Sequence, residues 1–229
     1  VQDERVGKVW RTDSDTAEWI KFDLVVTSKK VDVIGIFNHN LTAAAVVTLE
    51  GHTANSWGTP DVSETLTIAT DGDGNVIPRI VHHFTQATKR WWRLTIDDPT
   101  NSDGYIQIGR VMFGEVYEVT REMGGDISVE HIDPSEGSKV AGEVPVLTQK
   151  PRFRRIRTSF QFIGQTETDK WDAIFDYLGN SRPALISWDY ANRPTQSSAY
   201  VYMSTPLSLA HQFSNYYDIL ALVWEEKTR

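Results

Sequence analysis

The chain has 229 residues, 40% of them apolar and 11% aromatic, which is enough to bury a sizeable core and excludes wholesale disorder. Lys and Arg number 23 against 31 Asp and Glu, a net charge of −8, and so acidic a chain is poorly suited to coating nucleic acid. There is no Cys, which excludes disulfides, thiolate metal sites and a Cys nucleophile.

Residues 1–120 read as short strands separated by turns. The first residues, VQDERVGKVW, carry no signal-peptide pattern. In WIKFDLVV, Ile20, Phe22, Leu24 and Val26 alternate with polar neighbours, the period of a half-buried strand. VDVIGIFNH is nearly continuous apolar and predicts a central strand. AAVVTLEG places Ala45, Val47 and Leu49 on one face. ETLTIAT, RIVHHF, WWRLTI and YIQIGRVMFGEV follow, with turn clusters such as DGDGN and DDPTNSDG among them. Many short strands with turns predict a β-sandwich of the jelly-roll kind.

Residues 121–150 mix Gly, Pro and charge with little apolar periodicity, and predict a linker or an extended arm. A connection of that length is uncommon unless it has a function of its own. Residues 151–229 predict a second domain, a β-sandwich with one packed helix. RRIRTSFQFIG alternates, with Ile156, Thr158, Phe160 and Phe162 on one face. TETDKWDAIFDYLGN spaces Trp171, Ile174, Phe175 and Leu178 as one helical face, with Thr166 or Thr168 as N-cap and Gly179 as the stop. PALISWDY, SAYVYMS and NYYDILALVWEE close the chain as strands.

Chemistry is sparse. No GxSxG, HExxH or P-loop occurs, so no enzymatic activity, metal or cofactor is expected. Asp71-Gly-Asp-Gly-Asn opens like a calcium loop, but Val76 and His82 stand where a Gly and a bidentate Glu are needed, so a hairpin turn is the reading. His82 and His83 are neighbours on a strand and point to opposite faces. Asn38-His39-Asn40 is read as a turn cap, and Asp97 and Asp98 as turn formers before Pro99. The basic stretch from Lys150 to Arg157 is the one cationic cluster. Parity puts Arg155 and Arg157 on the face opposite Ile156. They are the candidate residues for a subunit interface, pairing with acids of a neighbour.

Trp19-Ile-Lys-Phe-Asp-Leu, then Val31 to Leu41, then Ala45 to Glu50, resemble the galactose-binding-like (discoidin-type) jelly rolls found in tailed-phage and prophage tail proteins. Trp92-Arg-Leu-Thr-Ile and Tyr105 to Glu115 are similar to that fold's closing strands. The order of elements after residue 150 resembles the β-sandwich-plus-helix domain of phage tail-tube and distal-tail proteins. The resemblance implies a distal tail or tail-tip baseplate protein. Such a protein is a homo-oligomeric ring, usually a hexamer, placed in the virion after assembly in the bacterial cytoplasm. It joins the tail tube protein to the tail-tip hub protein, with no membrane and no sequence-specific nucleic acid as partner. The domain order departs from that of many distal tail proteins, whose accessory domain follows the tube-like one. A second class of function stays open: a carbohydrate-binding module contacting host cell-surface glycans through Trp57, Trp91 and His83.

Overall fold

A computed structural model describes residues 4–25, 29–119, 127–139 and 145–227. Among the described residues the protein is mainly β, with antiparallel sheets and one helix. It divides into two compact units. Unit 1 holds Val1–Tyr117 and Ser187–Ser198, and unit 2 holds Glu118–Ile186 and Ala199–Arg229.

Unit 1 contains β1 (Trp10–Arg11), β2 (Glu18–Asp23), β3 (Lys30–His39), β4 (Val46–His52), β5 (Val62–Leu66), β6 (Arg79–Thr88), β7 (Trp91–Asp97) and β8 (Gln107–Gly114). They form two four-stranded sheets, ordered β1-β8-β3-β6 and β2-β7-β4-β5. The pairs 1–8, 2–7, 3–6 and 4–5 are those of one long antiparallel ribbon folded over on itself, which is the jelly roll. Ile34 and Ile36 from one sheet and Val47, Leu49, Trp92, Leu94 and Ile96 from the other fill the space between them. The apolar run in β3 lies between β8 and β6, as its composition predicts. Val26, expected to continue the alternation of β2, lies outside the described residues.

Two glycines serve close approach. A Cβ on Gly51 would stand 2.9 Å from the Trp92 ring, and one on Gly109 would stand 2.1 Å from the Val6 carbonyl oxygen. The Asn38-His39-Asn40 turn is built as its side chains suggest. Asn38 donates to the Val6 carbonyl at 2.9 Å, His39 Nδ1 accepts the Leu41 N–H at 3.2 Å, and Asn40 bridges Tyr105 and Gln107. Residues 187–198 close the outer edge of β6. The Val81 N–H donates to the Thr195 hydroxyl at 3.2 Å, and Arg79 Nε donates to the Thr195 carbonyl at 2.9 Å. An edge strand so covered offers fewer free backbone groups to another chain.

Unit 2 contains β9 (Ser128–Ile132), β10 (Glu136–Lys139), β11 (Pro145–Thr148), β12 (Phe153–Gly164), α1 (Gln165–Leu178), β13 (Ala184–Ser187), β14 (Ser198–Met203), β15 (Leu209–Phe213) and β16 (Tyr216–Glu226); Ser187 and Ser198 are the points where the chain enters and leaves unit 1. The main sheet is ordered β13-β14-β16-β12-β9, with β15 also paired to β16. The helix lies on this sheet through Trp171, whose ring is 5.2 Å from that of Phe160, both buried. Gly179 caps it at φ 50°, its N–H reaching the Phe175 carbonyl at 2.7 Å. The N-cap is Gly164 rather than Thr166 or Thr168, with no side-chain cap. The helix starts earlier than its Thr residues suggest, and the Thr168 hydroxyl donates back to the Gly164 carbonyl instead.

Two expectations about unit 2 change. Phe162 does not share a face with Ile156, Thr158 and Phe160. The register of β12 against β16 slips between Phe160 and Ile163, which inverts the alternation, so Ile163 is buried and Phe162 points to solvent. The stretch 121–150, read as a linker or arm, carries three strands where it is described. β9 joins the main sheet beside β12, and among the described residues β10 and β11 pair only with each other. Residues 121–126 and 140–144 lie outside the described residues.

Candidate functional site

The outward face of the β2-β7-β4-β5 sheet gathers the aromatic candidates. Trp92, Leu94 and Ile96 enter the core, so Trp91, Arg93 and Thr95 point away from it. In register, Trp91 lies between Asp23 and His52, Arg93 between Lys21 and Glu50, and Thr95 between Trp19 and Thr48. Trp57 reaches this face from the loop after β4, where the Arg93 guanidinium lies 4.7 Å from its ring centre. Lys21 covers Trp19 at 4.9 Å, and Arg90 covers Trp91 at 5.2 Å. Trp19 remains 51% exposed.

Three cations at this face are matched by acids, while Lys21 lies over Trp19. Arg93 Nε donates to Glu50 at 2.6 Å, Arg90 makes two bonds to Asp23 at 2.8 and 2.9 Å, and Lys89 meets Asp61 at 2.9 Å. The Arg90 bond holds the Asp23 carboxyl below its ordinary range, and the Lys89 bond does the same for Asp61. The face therefore offers indole surface and hydroxyls with little uncompensated charge.

The structure brings Trp57 and Trp91 to one face and leaves His83 elsewhere. His83 lies on β6 of the other sheet, its ring 5.0 Å from that of Tyr190, and burial lowers its pKa. Trp19 completes the aromatic set. Its signal was present in the sequence, because Ile20 and Phe22 turn inward and alternation sends Trp19 out.

Arg155 and Arg157 find carboxylates within unit 2. Arg155 donates to Glu225 at 2.7 Å and lies 4.0 Å from Glu130, and Arg157 Nε is 3.3 Å from Glu130. Tyr202 donates to the other oxygen of Glu225 at 2.8 Å. Tyr202, Glu225, Arg155 and Glu130 are register partners in turn, a polar row across β14, β16, β12 and β9. Burial works against the Glu225 anion, but the Tyr202 and Arg155 bonds prevail and hold its carboxyl below the ordinary range. Arg154, on the Ile156 face, forms a buried pair with Glu226 at 2.7 Å.

The candidate acids Asp71, Asp97 and Asp98 are occupied structurally. Asp71 accepts the N–H groups of Asp73 and Asn75 at 3.0 and 2.8 Å, closing a turn between the bridged residues Thr70 and Val76. Buried Asp98 accepts from Thr42 and Asn101, and Asp97 from the Ala17 N–H at 3.1 Å. Among the described residues, no group of three or more His, Asp and Glu is placed to hold a metal ion.

In unit 2 an aromatic edge faces solvent. Phe162 is 41% exposed at φ 55°, with the Phe213 ring 6.1 Å away, and Phe213 lies 5.6 Å from Tyr216. Phe213 and Leu220 are 57% and 52% exposed.

The chain matches no protein-family model and none of the curated proteins.

Proposed function

We propose that this chain is a structural component of a long-tailed phage virion, a ring at the distal end of the tail that joins the tail tube to the tail-tip hub. The observation that carries the reading is the β10–β11 hairpin. Among the described residues it pairs with no other strand, and a two-stranded hairpin alone is marginally stable in water. Such an element gains stability by lying on another protein surface, as a working assembly arm does. Sedimentation of the purified chain and imaging of the virion test it. The expected result is a ring of several copies that dissociates when the hairpin, residues 136–148, is deleted while both units, β9 included, stay folded. A strictly monomeric chain at virion-like concentrations refutes it.

A second reading, glycan binding by unit 1, is favoured by the outward face bearing Trp19, Trp57 and Trp91. Indoles stack on sugar rings, and a face with little uncompensated charge suits a neutral ligand. Titration with neutral oligosaccharides tests it. Trp91→Ala and Trp19→Ala should each weaken binding, and no heat or shift with any saccharide removes this reading.

A further inference from the structure

The outward face of the β2-β7-β4-β5 sheet carries its indoles in series along one strand. Trp91, Arg93 and Thr95 alternate with the core residues Trp92 and Leu94 along β7, and Trp19 stands beside Thr95 on β2. Trp91 and Thr95 are four residues apart, so the two end indoles are anchored about 14 Å from one another at a strand rise of about 3.4 Å per residue. Arg93 marks the midpoint, with the Trp57 ring centre 4.7 Å from its guanidinium. The order along the face is therefore Trp91, Trp57, Trp19.

Three further features of this face narrow what it binds. Its guanidinium groups are engaged by carboxylates, Arg93 by Glu50 and Arg90 by both oxygens of Asp23. Lys21 is exposed, and its contact with Trp19 is of the weak, solvent-screened kind that an incoming ring displaces. Beside Trp19 the outward residues are hydroxyls: Thr95, Thr48 and Thr65 are register partners in turn across β7, β4 and β5. The chain as a whole carries a net charge of −8, which disfavours a polyanion.

We infer that this face is the platform for an extended, uncharged, β-linked polysaccharide whose chain runs along β7. The inference rests on the reading of unit 1 as a glycan binder and adds the form of the ligand and its direction. An indole stacks on the apolar C–H face of one sugar ring. Indoles anchored about 14 Å apart are therefore too distant to share one monosaccharide, and a chain must span them. A straight β-linked chain stays in line with β7 and presents a ring to each indole in turn. Its hydroxyls then lie at the level of the Thr95 and Thr48 side chains, which both donate and accept. A strongly curved or branched chain leaves the line after one indole.

Calorimetric titration of the full chain with β-1,4-linked glucose and N-acetylglucosamine oligomers, from monosaccharide to hexasaccharide, tests the inference, and the two series show which sugar the face accepts. The expected result is no measurable binding of the monosaccharide and a gain of roughly tenfold or more from disaccharide to tetrasaccharide, as one chain engages successive platforms. Trp19→Ala and Trp91→Ala should each remove that gain and leave the disaccharide bound, while Trp19→Phe keeps it. Trp19 is 51% exposed, so the thermal midpoint of Trp19→Ala should match wild type. Equal affinity for monosaccharide and hexasaccharide overturns the extended platform and leaves glycan binding standing. A length-dependent gain untouched by either Ala substitution overturns the placement along β7. Tighter binding of an acidic series, oligogalacturonate, overturns the uncharged ligand. Binding of neither neutral series overturns the inference alone if a glycan array still finds a bound saccharide, and overturns the glycan reading with it if the array is blank.

Discussion

The approach of Val6 to Gly109 is open to a direct perturbation. In Gly109→Ala the new methyl carbon would lie 2.1 Å from the Val6 carbonyl oxygen, with Asn38 Cβ and the Phe37 carbonyl at 3.0 and 3.1 Å. A backbone oxygen has no rotamer by which to retreat, so the segment around Val6 must lift. Lifting exposes the buried Val6 side chain, which costs about 1.5–3 kcal/mol, and breaks its bond from Asn38, worth about 0.5–1.5 kcal/mol. The restricted unfolded chain returns about 0.4–1 kcal/mol, so the net loss is about 1–4 kcal/mol. Urea unfolding followed by Trp fluorescence measures it. The same substitution should cost much less in a chain lacking residues 1–8, where the oxygen is gone. An equal cost in both backgrounds would place the strain at Asn38 and Phe37 instead, and a neutral Gly109→Ala would refute the steric argument altogether.

Three other outcomes are expected. Burial is the main cause that brings the His39 pKa from 6.5 down to about 4, so the unfolded chain binds the extra proton first. Stability of unit 1 is then fully present above about pH 6.5 and lost progressively toward pH 4, on the order of 3 kcal/mol in all; His39→Leu should flatten that slope in urea titrations at stepped pH. Trp171→Ala should cost unit 2 roughly 3–5 kcal/mol, and a melting curve matching wild type would show that the helix does not depend on its contact with Phe160. Arg155→Glu combined with Arg157→Glu turns the polar row into facing carboxylates with Glu225 and Glu130, so β9 should lose protection in hydrogen exchange before β12 does. Uniform protection across both strands would show that the row does not hold β9.

Most strands of unit 1 were legible because one face of each is buried, and alternation records that directly. β2 and β7 show it residue by residue, and β3 shows the continuous apolar run of a strand between two others. β1 is two residues long, too short for any period. Phe162 was misplaced because parity assumes an unbroken ladder, and the slip between Phe160 and Ile163 leaves no mark in composition. β9 was missed because an edge strand with Glu130 and His131 among its five residues has little apolar rhythm. For the candidate sites, parity correctly put Arg155 and Arg157 on one face but cannot say which acids stand opposite. Trp57 joins the face of Trp91 through its contact with Arg93, set by the β4–β5 loop, and His83 belongs to the other sheet, a distinction that only the strand order reveals.

The assignment of Ser187–Ser198 to unit 1 has a consequence for synthesis on the ribosome. The eight strands of the jelly roll are complete by Gly114, yet the residue that covers the β6 edge, Thr195, comes about 80 residues later. At about 5–20 residues per second, that edge waits roughly 4–16 s for its cover. During the wait Val81 presents a bare N–H on a nascent chain crowded by others of the same sequence. Slowing translation within residues 118–195 should therefore raise the yield of misassembled polysome products, and a Lys introduced on the outer side of β6 should lower it.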